Sequence, residues 1–209
     1  MPEPQHPFDQ STYQVRFDWG AEGLARLAPA DVVVLVDVLD ASTDVIASTD
    51  LIAAGGRHAS ADGPGAGDRD ASADALAAVA PAEGLVLVGA LTNASAVADA
   101  VLAEQRRRSA RTSVAVIAVG DGPRFAMEDL LGAGAVIAAL ADRGIDHSSP
   151  EAAVACEAFR ALRGAARHLL TASGSGRERA DRADDVRAAA AVDASTVVPV
   201  LRRGAFVAL

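Results

Sequence analysis

The chain has 209 residues, 51% of them hydrophobic but only 3% aromatic, and a net charge of −9. That charge argues against a nucleic-acid surface, no apolar run reaches the roughly 18 residues needed to span a bilayer, and the single cysteine, Cys156, excludes an internal disulfide or a multi-cysteine zinc site. All 19 basic residues are arginine, which removes lysine Schiff-base chemistry and the P-loop lysine together. A chain of this size can bury a full core in one domain. The first residues lack a basic stretch followed by an apolar one, so no secretory signal is visible and a cytoplasmic protein is expected.

Residues 1–12, polar and with three prolines, read as a frayed tail, leaving 13–209 as a single α/β domain. A first strand is expected at 14–19 and a short helix from Gly20 to Arg26, stopped by Pro29. Residues 32–38 open on an unbroken run of Val and Leu, the pattern of a strand buried on both faces. That strand delivers Asp37, then Asp40, Ser42, Thr43 and Asp44, to the start of a helix expected over 43–54. Carboxylates and hydroxyls between a buried strand and a helix N-terminus suit an anion or metal site. They also suit a plain helix cap, worth about 1 kcal/mol. Asp37 is the hardest to read that way, because it ends an otherwise apolar strand.

The Gly- and Asp-rich residues 55–70 read as a loop, and 71–80 as a short helix stopped at Pro81. A second buried strand is expected at 85–91, followed by a helix over 94–106 with Asn93 as its cap. The Arg106, Arg107, Arg108 and Arg111 cluster sits at that helix's C-terminal end, where cations offset the dipole. A third buried strand, 114–119, ends in Gly120, Asp121, Gly122 and Pro123, a turn whose N–H groups could cradle an anion. A long helix over 125–140 carries Glu128 and Asp129 in its first turn, and its Gly132 and Gly134 imply close packing against another backbone. Further helices are expected at 150–163 and about 176–191, with Ser173 to Gly176 as a flexible connection, and two short strands at 196–201 and 205–209 close the chain. Cys156 lies in an Ala-rich helical stretch and reads as a small apolar packing group. Strands alternating with helices give a three-layer α/β/α fold with a mixed, mostly parallel sheet.

If the strands run parallel, their polar ends converge. Asp37, Glu128 and Asp129 then form a candidate catalytic and metal-binding set, hard oxygen ligands suited to Mg²⁺. Ser42, Thr43, Asn93, Gly120 and Gly122 become candidate substrate-binding residues. Metal with anion donors points to phosphoryl chemistry. Acids in a first helical turn are also favoured by the helix dipole alone. His6, His58, His147 and His168 show no ligand spacing and are expected at the surface. Two other acidic motifs fail: Leu39 breaks an Asp-x-Asp-x-Thr nucleophile pattern, and Leu39 with Ala41 breaks an Asp-x-Ser-x-Ser metal pattern.

The blocks DVLDAST (37–43), TNASAVADAV (92–101), VIAVGDGPRFAMEDLLGAGAVIAAL (116–140) and VVPVLRRGAF (197–206) resemble, in order and spacing, the ComB-type 2-phosphosulfolactate phosphatases. The resemblance runs from about Tyr13 to Phe206. It implies a Mg²⁺-dependent phosphatase acting on a small acidic phosphomonoester, with Asp37, Ser42, Thr43, Asn93, Glu128 and Asp129 at positions that line the family's site. It implies no nucleic-acid or membrane partner and admits a homodimer. Two departures favour an alternative, a catalytically degenerate relative acting as a ligand-binding or structural subunit. Asp40 stands where the family often has arginine, and the short segment 55–84 replaces blocks expected between the first helix and the second strand.

Overall fold

The computed structural model describes residues 7–39, 84–120 and 124–209. Ser42, Thr43, Gly122, and the elements expected at 43–54, 55–70 and 71–80 lie outside those residues.

The long apolar runs form the centre of the sheet, because a strand covered on both faces has no polar side to present. β1 (Val15–Trp19), β2 (Val32–Val36), β3 (Leu85–Gly89) and β4 (Val114–Ala118) run parallel in the spatial order β1-β4-β2-β3. β5 (Pro199–Arg202) adds antiparallel to β3, and β6 (Ala205–Ala208) hairpins back onto β5. The sheet is therefore mixed and mostly parallel, as expected.

The two faces of β2 belong to two packed layers. Val32, Val34 and Val36 face α2 (Ala94–Arg108), α3 (Met127–Ala141) and α4 (Pro150–Leu162), while Val33 and Leu35 pack with Ala115, Ile117 and Leu27 beside α1 (Gly20–Arg26). Gly134 does pack against another backbone: a Cβ there would lie 2.1 Å from the Ala155 carbonyl oxygen of α4. Gly132 meets side chains instead, with its Cβ position 2.5 Å from Val38 Cγ2 and 2.8 Å from Val36 Cγ1. α3 thus rests directly on the end of β2. Cys156 is buried in this layer, as its surroundings in the sequence imply, and burial pushes its thiol up.

Three expectations need correcting. The strand expected at 85–91 stops at Gly89, because the Ala90 N–H is taken by Asn93 Oδ1 at 2.9 Å and the chain enters a 3₁₀ turn, Leu91–Asn93. The single helix expected near 176–191 is two pieces, α6 (Gly174–Glu178) and α7 (Ala183–Ala189), joined through a 3₁₀ turn (Ala180–Arg182), and an unexpected helix, α5 (Ala166–Ala172), precedes them. The connection Ser173 to Gly176 is a tight cap rather than a loose linker. Ser173 Oγ accepts the Gly176 N–H at 3.0 Å and donates to the Leu170 carbonyl at 2.9 Å. Gly176 sits so close to that carbonyl that a Cβ would lie 1.9 Å from it. Among the described residues, no helix is long and apolar enough to cross a membrane.

Candidate active site

Parallel register aligns the strand ends. Trp19 pairs with Ala118, Ala118 with Val36, and Val36 with Gly89, so these residues form one row along the carboxyl edge of the sheet. The Val119 N–H extends that pairing to the Val36 carbonyl at 2.8 Å. The chain ends that follow, Gly20, Val119 with Gly120, Asp37 and Ala90, therefore emerge at the same edge. This is the edge at which ligands of open α/β sheets bind.

Asp37 is buried there, and α3 brings Asp129 to the same place. Asp129 Oδ1 accepts the Val38 N–H at 2.8 Å, and Oδ2 accepts the Gly120 N–H at 2.9 Å. Burial holds the Asp129 carboxyl well above the usual range, and the nearby charge of Asp37 pushes it further; the N–H groups of Val38 and Gly120 pull the other way, and Glu128 adds a weaker push upward. Two acids in one buried place is the arrangement that a cation relieves.

Glu128 points elsewhere. It is buried, yet it lines a cavity of about 340 Å³ between the start of α3 and the α5–α6 corner, facing Arg124, Met127, Leu169 and Ser173. Neighbours in one helical turn diverge by about 100°, so both acids cannot face the sheet edge. The expected set of three is thus a pair, Asp37 with Asp129, and a separate Glu128. Among the described residues, no group of three or more His, Cys, Asp or Glu is placed to share one metal ion.

The expected anion donors are also redistributed. Asn93 is fully buried and makes no cap bond to α2. Its amide donates to the Val88 and Val197 carbonyls at 3.1 and 3.0 Å, and its oxygen accepts from Ala90, so it ties β3 to the closing strands. Gly120 has φ +72, which suits glycine, but its N–H already serves Asp129.

A larger cleft of about 750 Å³ opens beside Gly120, walled by Trp19 and Phe125, with Arg26 and Arg124 at its sides. The two rings stand 5.6 Å apart, and Phe125 is 69% exposed. Arg26 pairs with Asp18 at 2.9 Å and Arg124 with Glu178 at 3.1 Å. This aromatic wall was readable in principle, since Trp19 ends β1 just before Gly20 and parallel pairing carries it to the edge that holds Asp37.

His147 and His168 are exposed, in line with their expected surface place. The arginines at and just beyond the end of α2 take structural partners: Arg107 pairs with Glu104, Arg108 with Asp31, and Arg111 contacts His147 at 2.7 Å.

A family model described as 2-phosphosulpholactate phosphatase matches residues 71–204, from the segment before β3 through β5. No curated protein matches the chain.

Proposed function

The chain belongs to the 2-phosphosulpholactate phosphatase family, and on that premise we propose that it is a Mg²⁺-dependent phosphatase of a small acidic phosphomonoester, with 2-phosphosulfolactate as the first candidate. The observation that carries this reading is the buried carboxylate pair at the carboxyl edge, where Asp37 raises Asp129. Such a pair calls for positive charge, and Mg²⁺ is commonly held by one or two carboxylates with waters and substrate phosphate completing its shell. The absence of a three-acid cluster among the described residues is therefore no obstacle to the fit.

Asp37 would hold the ion, apart from the cavity that Glu128 lines. When bound, Mg²⁺ supplies charge neutralisation for the phosphoryl oxygens. The protein's own part is placement. The row of strand ends fixes where Asp37 stands, and the first turn of α3, with no side-chain cap at Ala126, offers N–H groups to an anion. The Trp19–Phe125 wall screens one side of the cleft from water, and Arg26 and Arg124 at its sides would take a second acidic group of the substrate by exchanging their partners Asp18 and Glu178.

Asp40, which replaces an arginine common in the family, favours a second reading, in which the chain binds its ligand without turning it over. Phosphate release from 2-phosphosulfolactate and a panel of small phosphomonoesters, with and without Mg²⁺, decides between them. The expected result is metal-dependent release that falls at least about 100-fold in Asp37→Asn. A folded protein that releases no phosphate from any of them overturns the phosphatase and leaves the binding role.

A further inference from the structure

Asp129 and Asp37 look alike in the sequence, as two acids at one site, and the structure shows what holds Asp129. Each oxygen of Asp129 already accepts a backbone N–H, one from Val38, the residue after Asp37, and one from Gly120, two residues beyond β4. The side chain is buried with both oxygens engaged, whereas Glu128 and Gly120 each line a cavity. Backbone N–H bonds to a buried carboxyl are costly to leave unmade. Here they join the ends of two neighbouring strands through a helix.

The packing of α3 explains how the carboxylate gets there. Gly132 lies three residues after Asp129, on the same helical face. A Cβ at Gly132 would overlap Val38 Cγ2 at 2.5 Å and Val36 Cγ1 at 2.8 Å, so the helix reaches this depth only because that position is glycine. The residues on both sides of Asp37 are thereby held: Val36 by the ladder and its carbonyl bond from Val119, Val38 by Asp129.

We infer that Asp129 is a positioning residue that clamps the carboxyl ends of β2 and β4 together and so sets Asp37, and that it is not itself a ligand of the metal or the phosphate. This rests on the phosphatase reading for what Asp37 does. The clamp itself is a property of the protein alone.

The test compares Asp129→Asn, Asp129→Ala and Asp37→Asn in the full chain. Amide hydrogen exchange in the metal-free protein reads the clamp, and calorimetric titration with Mg²⁺ reads the ligand. Asn keeps one acceptor oxygen, so Asp129→Asn should lose protection by about tenfold at one of the amides of Val38 and Gly120, Asp129→Ala at both, and Asp37→Asn at neither. Mg²⁺ affinity should fall about tenfold or more in Asp37→Asn and less than about threefold in Asp129→Asn, while kcat of Asp129→Asn drops about 10- to 100-fold with KM nearly unchanged. A role confined to stability would move the melting temperature and leave kcat per folded molecule alone.

Unchanged protection at both amides in Asp129→Ala overturns the clamp. Should that variant fail to fold, Asp129→Asn with both amides as protected as in the wild type does the same. A loss of Mg²⁺ affinity in Asp129→Asn as large as in Asp37→Asn overturns the assignment by making Asp129 a ligand. If the wild type neither binds Mg²⁺ nor releases phosphate, the phosphatase reading fails, and the exchange data still decide the clamp.

Discussion

The two ends of one sheet treat carboxylates in opposite ways. At the amino end, Asp31 just before β2 accepts the Ser113 N–H and hydroxyl, each at 2.8 Å, and pairs with Arg108. Burial alone would raise Asp31, but the Ser113 bonds, Arg108 and Arg16 together outweigh it and hold the carboxyl below its usual value. At the carboxyl end, Asp129 also accepts two N–H bonds, yet it is raised, because full burial and the charge of Asp37 outweigh them. The difference follows from how helices meet a parallel sheet. Each crossover helix starts at the carboxyl edge and ends near the amino edge, and the helix dipole favours acids at starts and arginines at ends. Arg106, Arg107 and Arg108 close α2, whereas Glu128 and Asp129 open α3. One end receives cations and becomes a stabilising network; the other accumulates acids, and it is there that the proposed cation would sit.

The amino end should therefore break as stability, and the carboxyl end as activity. Arg16 is the extreme case, a buried guanidinium that donates to the carbonyls of Tyr13, Ala28, Pro29 and Ser11. Arg16→Ala leaves those acceptors without their donor and should cost about 3 kcal/mol. That corresponds to a melting temperature lower by about 6–12 °C, with kcat per folded molecule unchanged. A large loss of kcat at constant folded fraction would mean that the two ends are coupled.

Asp37→Asn is the mirror experiment. A 100-fold loss of phosphate release is about 2.7 kcal/mol of transition-state stabilisation, whereas thermal stability should hold or rise, because a source of repulsion is removed. The sign runs with pH. A raised carboxyl such as Asp129 contributes stability that is present at low pH and lost as pH rises through its folded value. Asp37→Asn should therefore gain most over the wild type on the alkaline side of a melting profile, and an advantage confined to acid pH would contradict the repulsion.

Gly132→Ala probes the join between the helix and the carboxyl end. Overlap with Val36 and Val38 should cost about 2 kcal/mol, partly offset by the better helix propensity of alanine, and should lower activity as well by shifting Asp129. Full activity in a destabilised variant would detach α3 from the site. The smallest effect belongs to Asp31→Asn, about 1 kcal/mol near neutral pH. Because the folded Asp31 carboxyl lies below its unfolded value, its contribution is present above about pH 4 and fades as pH falls through the folded value. Wild type and variant should converge in acid, and a gap that persists at pH 2 would refute the assignment.

Much of the fold was legible in the chain because buried parallel strands leave a plain signature. The runs at 32–36, 85–89 and 114–118 carry only Val, Leu, Ile, Ala and one Gly, and each forms a strand at or within two residues of the expected bounds. The closing hairpin around Arg203 and Gly204 was equally plain. Residues 163–191 were not, since their breaks depend on Ser173 capping Gly176 and on Gly176 seating against the Leu170 carbonyl, a close approach that composition does not announce. Asn93 read as a helix cap from its place before α2, but its partners include Val197, 104 positions away.

Taken by itself, the sequence determined the strand and helix types, the acids that open α3 and the family to which the whole belongs, because these depend on local pattern and on residues read in order. Only the tertiary structure decided which acid touches what. Glu128 and Asp129 are neighbours with nearly the same chemistry, and nothing local tells which one turns inward. That choice is made by the depth at which Gly132 lets α3 settle on β2, which carries Asp129 to the N–H of Val38, 91 positions earlier in the chain, and leaves Glu128 facing a cavity. A carboxylate's role follows from what its oxygens touch, and contacts across such distances exist only once the sheet has formed.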